Sequence, residues 1–66
     1  MTKKEAIQVA FAVSAADGGC PYCVSDVFKI LNQCDIGWKF HTEGNGPEDA
    51  EIVIGESCTN VAVSCG

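Results

Sequence analysis

The sequence predicts an α+β fold in which a helical hairpin packs on a three-stranded antiparallel sheet, in the order ααβββ. Three observations lead there. Two segments ahead of residue 34 carry helix-start signals and apolar residues at the helical period, and from Ile36 onward that period falls to two. Only a short connection built around Gly18-Gly19 stands between the two helical segments, which makes them antiparallel neighbours. The 66 residues form a single domain, 1–66, without internal repeats or a linker. So small a chain buries only about 60% of the surface that its unfolded form exposes.

The first helix is expected over Lys3 to Ala16. Thr2-Lys3-Lys4-Glu5 has the form of a capping box, in which a hydroxyl and a carboxylate satisfy orphan amides at a helix start. Alanine-rich sequence follows and stops at Asp17-Gly18-Gly19, where glycine can take the left-handed conformation that closes a helix. Ile7, Ala10, Phe11 and Ser14 make one stripe, and Val9, Ala12, Val13 and Ala16 a second. A helix apolar on most sides is expected to be buried on most sides, against its own fold and against a partner or a second copy of the chain.

The second helix is expected over Pro21 to Gln33, with Pro21 at the first position, where its missing amide hydrogen costs nothing. Val24, Val27, Phe28 and Leu31 fall at i, i+3, i+4 and i+7, and Cys23, Ile30 and Cys34 are expected to widen that face. Ile36, Trp38, Phe40 and Thr42 then alternate with Gly37, Lys39, His41 and Glu43, which describes a strand with one covered and one wet face. After the turn-rich loop Gly44 to Asp49, Ile52 and Ile54 alternate with Glu51, Val53 and Gly55, and a last strand over Asn60 to Cys65 sets Val61, Val63 and Cys65 on one side. Lys39, His41, Glu43, Glu51 and Val53 are thereby expected on the outer face of the sheet.

Composition excludes several functions. With 47% apolar and 20% charged residues the chain is globular, not disordered. The run from Ile7 to Ala16 behind Lys3 and Lys4 has the outline of a secretory leader, but Glu5 and Gln8 interrupt it, and it falls short of the about 20 residues that span a bilayer. Five cysteines, an odd number, suit a cytoplasmic protein better than a fully paired extracellular framework. Four lysines balance four acids up to Lys39, whereas Phe40 to Gly66 holds five acids and no Lys or Arg. Such a one-signed surface repels nucleic acid and membrane phosphates and attracts basic protein surfaces.

Cys20-Pro21-Tyr22-Cys23 is the one tetrapeptide with a known chemistry. It resembles the active site of glutaredoxins, and Val24 to Leu31 after it is similar to the helix that follows in that family. The resemblance implies that Cys20 attacks a disulfide as a thiolate and that Cys23 resolves the mixed disulfide. It covers about a dozen residues. The strand that glutaredoxins carry ahead of the motif is replaced here by a capped, alanine-rich helix, and Pro47 lies too early to be the proline that faces the cysteines in that family. The plainer reading is that Cys20 caps the second helix and Cys23 packs as a small side chain. A structural zinc site is the other alternative, with Cys20 and Cys23 joined by Cys58 and Cys65, or by His41. His41, the sole histidine, falls on the wet strand face away from Cys20 and Cys23, so no catalytic pair forms and no enzyme activity is expected. No cofactor is expected either.

The acids Glu43, Glu48, Asp49, Glu51 and Glu56 fall on a strand end, a loop and the next strand, and in a hairpin they would gather along one face, with Val53 among them as an apolar anchor. A solvated edge that keeps a small protein soluble is the plainer account. By size and charge the chain is also similar in kind to small acidic phage-encoded inhibitors such as anti-CRISPR proteins and other DNA mimics. That resemblance implies a protein-binding inhibitor or adaptor that occupies the basic, nucleic-acid-handling surface of a partner protein. It would bind no nucleic acid and no membrane directly. The first helix offers a route to a homodimer.

Overall fold

Thr2 opens the first helix in the way its sequence predicts. In the computed structural model, which describes residues 1–18, 20–42, 46–54 and 59–66, helix α1 spans Lys3–Ala16 with Thr2 as its N-cap. The Glu5 amide donates to Thr2 Oγ1 at 3.2 Å, and the Thr2 amide donates to Glu5 Oε1 at 2.8 Å. The Thr2 donors hold the Glu5 carboxyl below its ordinary value of 4.5. At the other end Gly18 sits at φ 62, the left-handed conformation that ends a helix without a Cβ clash.

Ala6, Ala10 and Ser14, spaced by four, form the fully buried line of α1. Their small side chains let the helix axis lie close to the sheet. Ile7, Val9, Phe11 and Val13 flank that line half-buried, while Ala12, Ala15 and Ala16 are exposed. Within the chain's own fold α1 is therefore buried along one side, where among the described residues the sheet and an edge of the second helix cover it.

Helix α2 spans Pro21–Asn32 with Pro21 at its first position and Gln33 as its C-cap, one residue shorter than expected. Val24 and Phe28 are buried, and Val27 and Leu31 line the same side. Cys23, Ile30 and Cys34 are exposed and do not widen that face. Cys23 and Ile30 stand roughly a third of a turn around the helix from the Val24–Phe28 line, beyond the reach of the sheet.

Three strands follow: β1 (Trp38–Thr42), β2 (Glu51–Val53) and β3 (Val61–Cys65). Gly37, at φ 83, turns the chain into β1. The sheet order is β1-β3-β2, with both neighbouring pairs antiparallel. The last strand thus lies in the middle, and β1 and β2 run in the same direction along the two edges. The expected pairing of the first two strands as a hairpin is corrected, because β3 separates them. Both helices cover one face of the sheet, α2 over β1 and α1 over β3 and the adjoining side of β2. That is the predicted ααβββ arrangement.

Register decides which side chains turn inward. Phe40, Val63 and Glu51 share one row, and Thr42, Val61 and Val53 share another. Phe40, Val61, Val63 and Val53 accordingly enter the core with Val24 and Phe28. The Phe28 and Phe40 rings meet at 5.6 Å between centroids and 32°, a tilted contact of a kind that contributes about 0.5–1.5 kcal/mol beyond area burial. The phase expected for β2 is reversed. Val53 is buried, at 8% exposure, whereas Ile52 and Ile54 are 59% and 71% exposed.

The free side of β1 is closed by a side chain. Asn32, the last residue of α2, donates from Nδ2 to the Phe40 carbonyl at 2.9 Å and accepts from the Phe40 amide at Oδ1 at 2.8 Å. Lys39 Nζ donates to the Asn32 carbonyl at 2.8 Å, and the Trp38 indole donates to the Met1 carbonyl at 2.9 Å. Among the described residues no helix is long and apolar enough to cross a membrane.

Candidate functional site

The first candidate is the start of α2. Cys20 is its N-cap residue, in an extended conformation, and Pro21 occupies the first helical position. The Cys20 amide donates to the Asp17 carbonyl at 3.2 Å, which ties the motif to the end of α1. Cys20 is half-buried, and Cys23 is exposed one turn on. The Cys20 side chain makes no capping hydrogen bond, and the nearby amides act on it through its ionisation. The Cys23 amide, then the Cys23 thiol and the Tyr22 amide, pull the Cys20 thiol below the ordinary 9.0, and Asp17 opposes them weakly. Cys23 moves the other way: its hydrogen bond to Cys20 and the charge that Cys20 carries push its thiol above 9.0. Cys20 is thus the more acidic thiol of the pair and Cys23 the less acidic.

The zinc alternative finds little here. Cys65 ends β3 and is exposed, and Cys58 lies outside the described residues. Among the described residues no three Cys, His, Asp or Glu side chains gather as a metal would require. His41 sits on the outer sheet face, half-buried, with Nε2 2.8 Å from Ser64 Oγ. Burial lowers its pKa from 6.5.

The second candidate is the acidic end. Glu48 and Asp49 are exposed on the approach to β2, and Glu43 and Glu56 lie outside the described residues. Glu51 shares the row of Phe40 and Val63, so it belongs to the helix-facing side and not to the outer face expected for it. It stays exposed because β2 is an edge strand, and its carboxylate reaches over to an ion pair with Lys3 of α1. A lysine from the neutral half of the chain therefore neutralises one of the five acids. Val53 is corrected outright: buried in the core, it offers nothing to a partner. Ile52 and Ile54, not Val53, are the exposed apolar side chains of this segment.

A groove of about 330 Å³ runs between α2 and β1, with Phe28 and Phe40 at its base and Ser25, Lys29, Asn32, His41 and Thr42 around it. It contains neither a carboxylate nor a thiol, so it belongs to neither candidate. Comparison with models of protein families, with curated proteins and with solved structures finds no match to this chain.

Proposed function

We propose that the chain is a protein-binding inhibitor or adaptor that seats its acidic β2 end on the basic surface of a nucleic-acid-handling partner, in the manner of anti-CRISPR proteins and other DNA mimics. The observation that carries this reading is the exposure of Ile52 and Ile54, 59% and 71%, a few residues after the exposed acids Glu48 and Asp49. Charge mainly sets the rate and orientation of an encounter, while affinity needs an apolar anchor that excludes water. The β2 end supplies both. The chain's net charge of −5 favours approach to basic surfaces and opposes approach to nucleic acid.

The test is capture on the immobilised chain from a lysate of its source, at low and high salt, with the double variant Glu48→Lys/Asp49→Lys beside the parent. Glu51 is left alone because it is held by Lys3. The parent should retain a salt-sensitive partner that the folded variant releases. An identical set of captured proteins from both would overturn the reading.

The division between the two thiols supports a second reading, thiol–disulfide exchange at Cys20 and Cys23. The Cys20 thiolate attacks a disulfide RSSR′, forms a Cys20–SR bond and expels R′S⁻. Cys23 then gives up its proton and attacks the Cys20 sulfur, closing the Cys20–Cys23 disulfide and releasing RS⁻. The substrate gains the two electrons that the dithiol loses. A glutathione-coupled disulfide assay discriminates: activity abolished by Cys20→Ser would place this reading first, and no activity in the parent would remove it.

A further inference from the structure

The two edges of the sheet are treated differently. The Gly66 amide donates to the Gly37 carbonyl at 3.1 Å, so Gly37–Gly66, Lys39–Ser64 and His41–Ala62 are the pairs that exchange hydrogen bonds across β1 and β3. Phe40 must then turn its amide and carbonyl away from β3, and Asn32 meets both. The same alternation runs on through β3. Val63 and Val61 turn their backbone groups toward β2 and bond Glu51 and Val53, which leaves the amide and carbonyl of Ile52 directed at the open side of β2. Among the described residues, nothing is hydrogen-bonded to them from that side.

We propose that β2 is a docking edge that takes up an extended segment of the partner protein as a fourth strand, one whose sequence alternates lysine or arginine with apolar residues. The proposal rests on the protein-binding reading above and specifies its mode. An added strand would bond the Ile52 amide and carbonyl, and its apolar side chains would lie against Ile52 on the outer face. Its basic side chains would meet Glu48 and Asp49, since Glu51 on the helix side is already paired with Lys3. Charge selects this occupant over a second copy of the chain, since a copy brings a net charge of −5 against the same sign. Edge strands are ordinarily protected by lysine, proline or a covering element. The β1 edge has Lys39 and Asn32, whereas Glu51–Val53 contains neither lysine nor proline and the lysine beside it among the described residues, Lys3, is paired with Glu51 on the helix side.

The probe is a blocked ten-residue peptide alternating lysine and valine, titrated into the full-length, isotope-labelled chain and followed by amide NMR and hydrogen exchange. Exchange at the Ile52 amide should slow at least tenfold, while the Glu51 and Val53 amides, already paired with β3, change less. The same peptide N-methylated at alternate residues should bind at least tenfold more weakly. Ile52→Pro removes only an amide hydrogen that the sheet does not use; it should stay folded and lose the peptide, with Ile52→Val retaining it. Equal binding of the methylated and unmethylated peptides, with no protection at Ile52, would overturn strand addition while leaving acidic docking standing. Equal binding of a glutamate–valine peptide would overturn the charge reading instead. Protection at Ile52 that grows with the concentration of the chain alone would assign the edge to a second copy and overturn the proposed occupant.

Discussion

The carboxamide of Asn32 acts as a one-residue strand for Phe40, donating to its carbonyl at 2.9 Å and accepting from its amide at 2.8 Å. Phe40 is 1% exposed with Asn32 in place, so removing the carboxamide leaves one donor and one acceptor at this edge without their protein partner. An unsatisfied buried donor or acceptor costs about 1–3 kcal/mol. Asn32→Ala should lower the urea unfolding midpoint by a corresponding amount. Asn32→Asp should cost as much or more, because a carboxylate keeps the bond to the Phe40 amide but faces the Phe40 carbonyl without a donor. Opening this edge also predicts self-association of Asn32→Ala, read as a rise in mass by light scattering with concentration. A variant equal to the parent in both measurements would mean that another group closes the edge.

The small line of α1 sets the distance between helix and sheet. Ala6, Ala10 and Ser14 are all at 0% exposure, and Ser14 Oγ donates to the Thr59 carbonyl at 3.4 Å. Ala10→Leu adds three carbons where no space exists, and overpacking of this kind costs about 1–3 kcal/mol. Denaturant unfolding should show that loss. Ala12→Leu, on the exposed side of the same helix, is the control and should change stability by less than about 0.5 kcal/mol.

Parts of this fold are legible in the sequence because local chemistry marks them. The Thr2–Glu5 box, Gly18 and Pro21 fix the ends of α1 and the start of α2, and Lys39 and His41 mark the wet face of β1 by contrast with Trp38 and Phe40. In β2 that contrast is missing. Ile52, Val53 and Ile54 are consecutive and apolar, so either phase satisfies alternation, and only the long-range register with β3 decides that Val53 turns in. Glu51 misleads further: a carboxylate on the helix-facing side is tolerated because β2 is an edge and Lys3 is within reach. The strand order could not be read either, since a turn-rich loop between β1 and β2 suggests a hairpin whether or not β3 enters between them. At the candidate sites, Cys20 and Cys23 were visible as a pair at a helix start. The docking edge, by contrast, depends on which residues β3 leaves unpaired, and no local pattern carries that.

His41 gives a pH dependence whose sign follows from its burial. Its folded-state pKa lies below 6.5, so between that value and about 6.5 the unfolded chain binds more protons than the folded one. Stability then rises with pH through that window and falls as pH drops from about 6.5 toward the folded pKa. As the sole histidine, His41 can be titrated directly by NMR, and its midpoint should lie below 6.5. His41→Gln should flatten the urea midpoint between pH 5.5 and 7.5 (about the range in which histidine changes charge). A midpoint above 6.5 would show that the ring gains a charge partner on the outer face and would reverse the slope.

The unequal thiols of Cys20 and Cys23 can be separated from any question of substrate. The Cys23 amide, then the Cys23 thiol, favour the Cys20 thiolate, and Asp17 opposes it. At neutral pH, iodoacetamide should therefore alkylate Cys20 several-fold faster than Cys34 or Cys65, as followed by peptide mass spectrometry. Cys23→Ala removes the thiol donor but leaves the amide, so Cys20 should slow without falling to the rate of Cys34. Asp17→Asn deletes an opposing charge and should speed it. Equal rates at Cys20 and Cys34 in the parent would show that the start of α2 leaves Cys20 an ordinary thiol, and the exchange chemistry would lose its nucleophile.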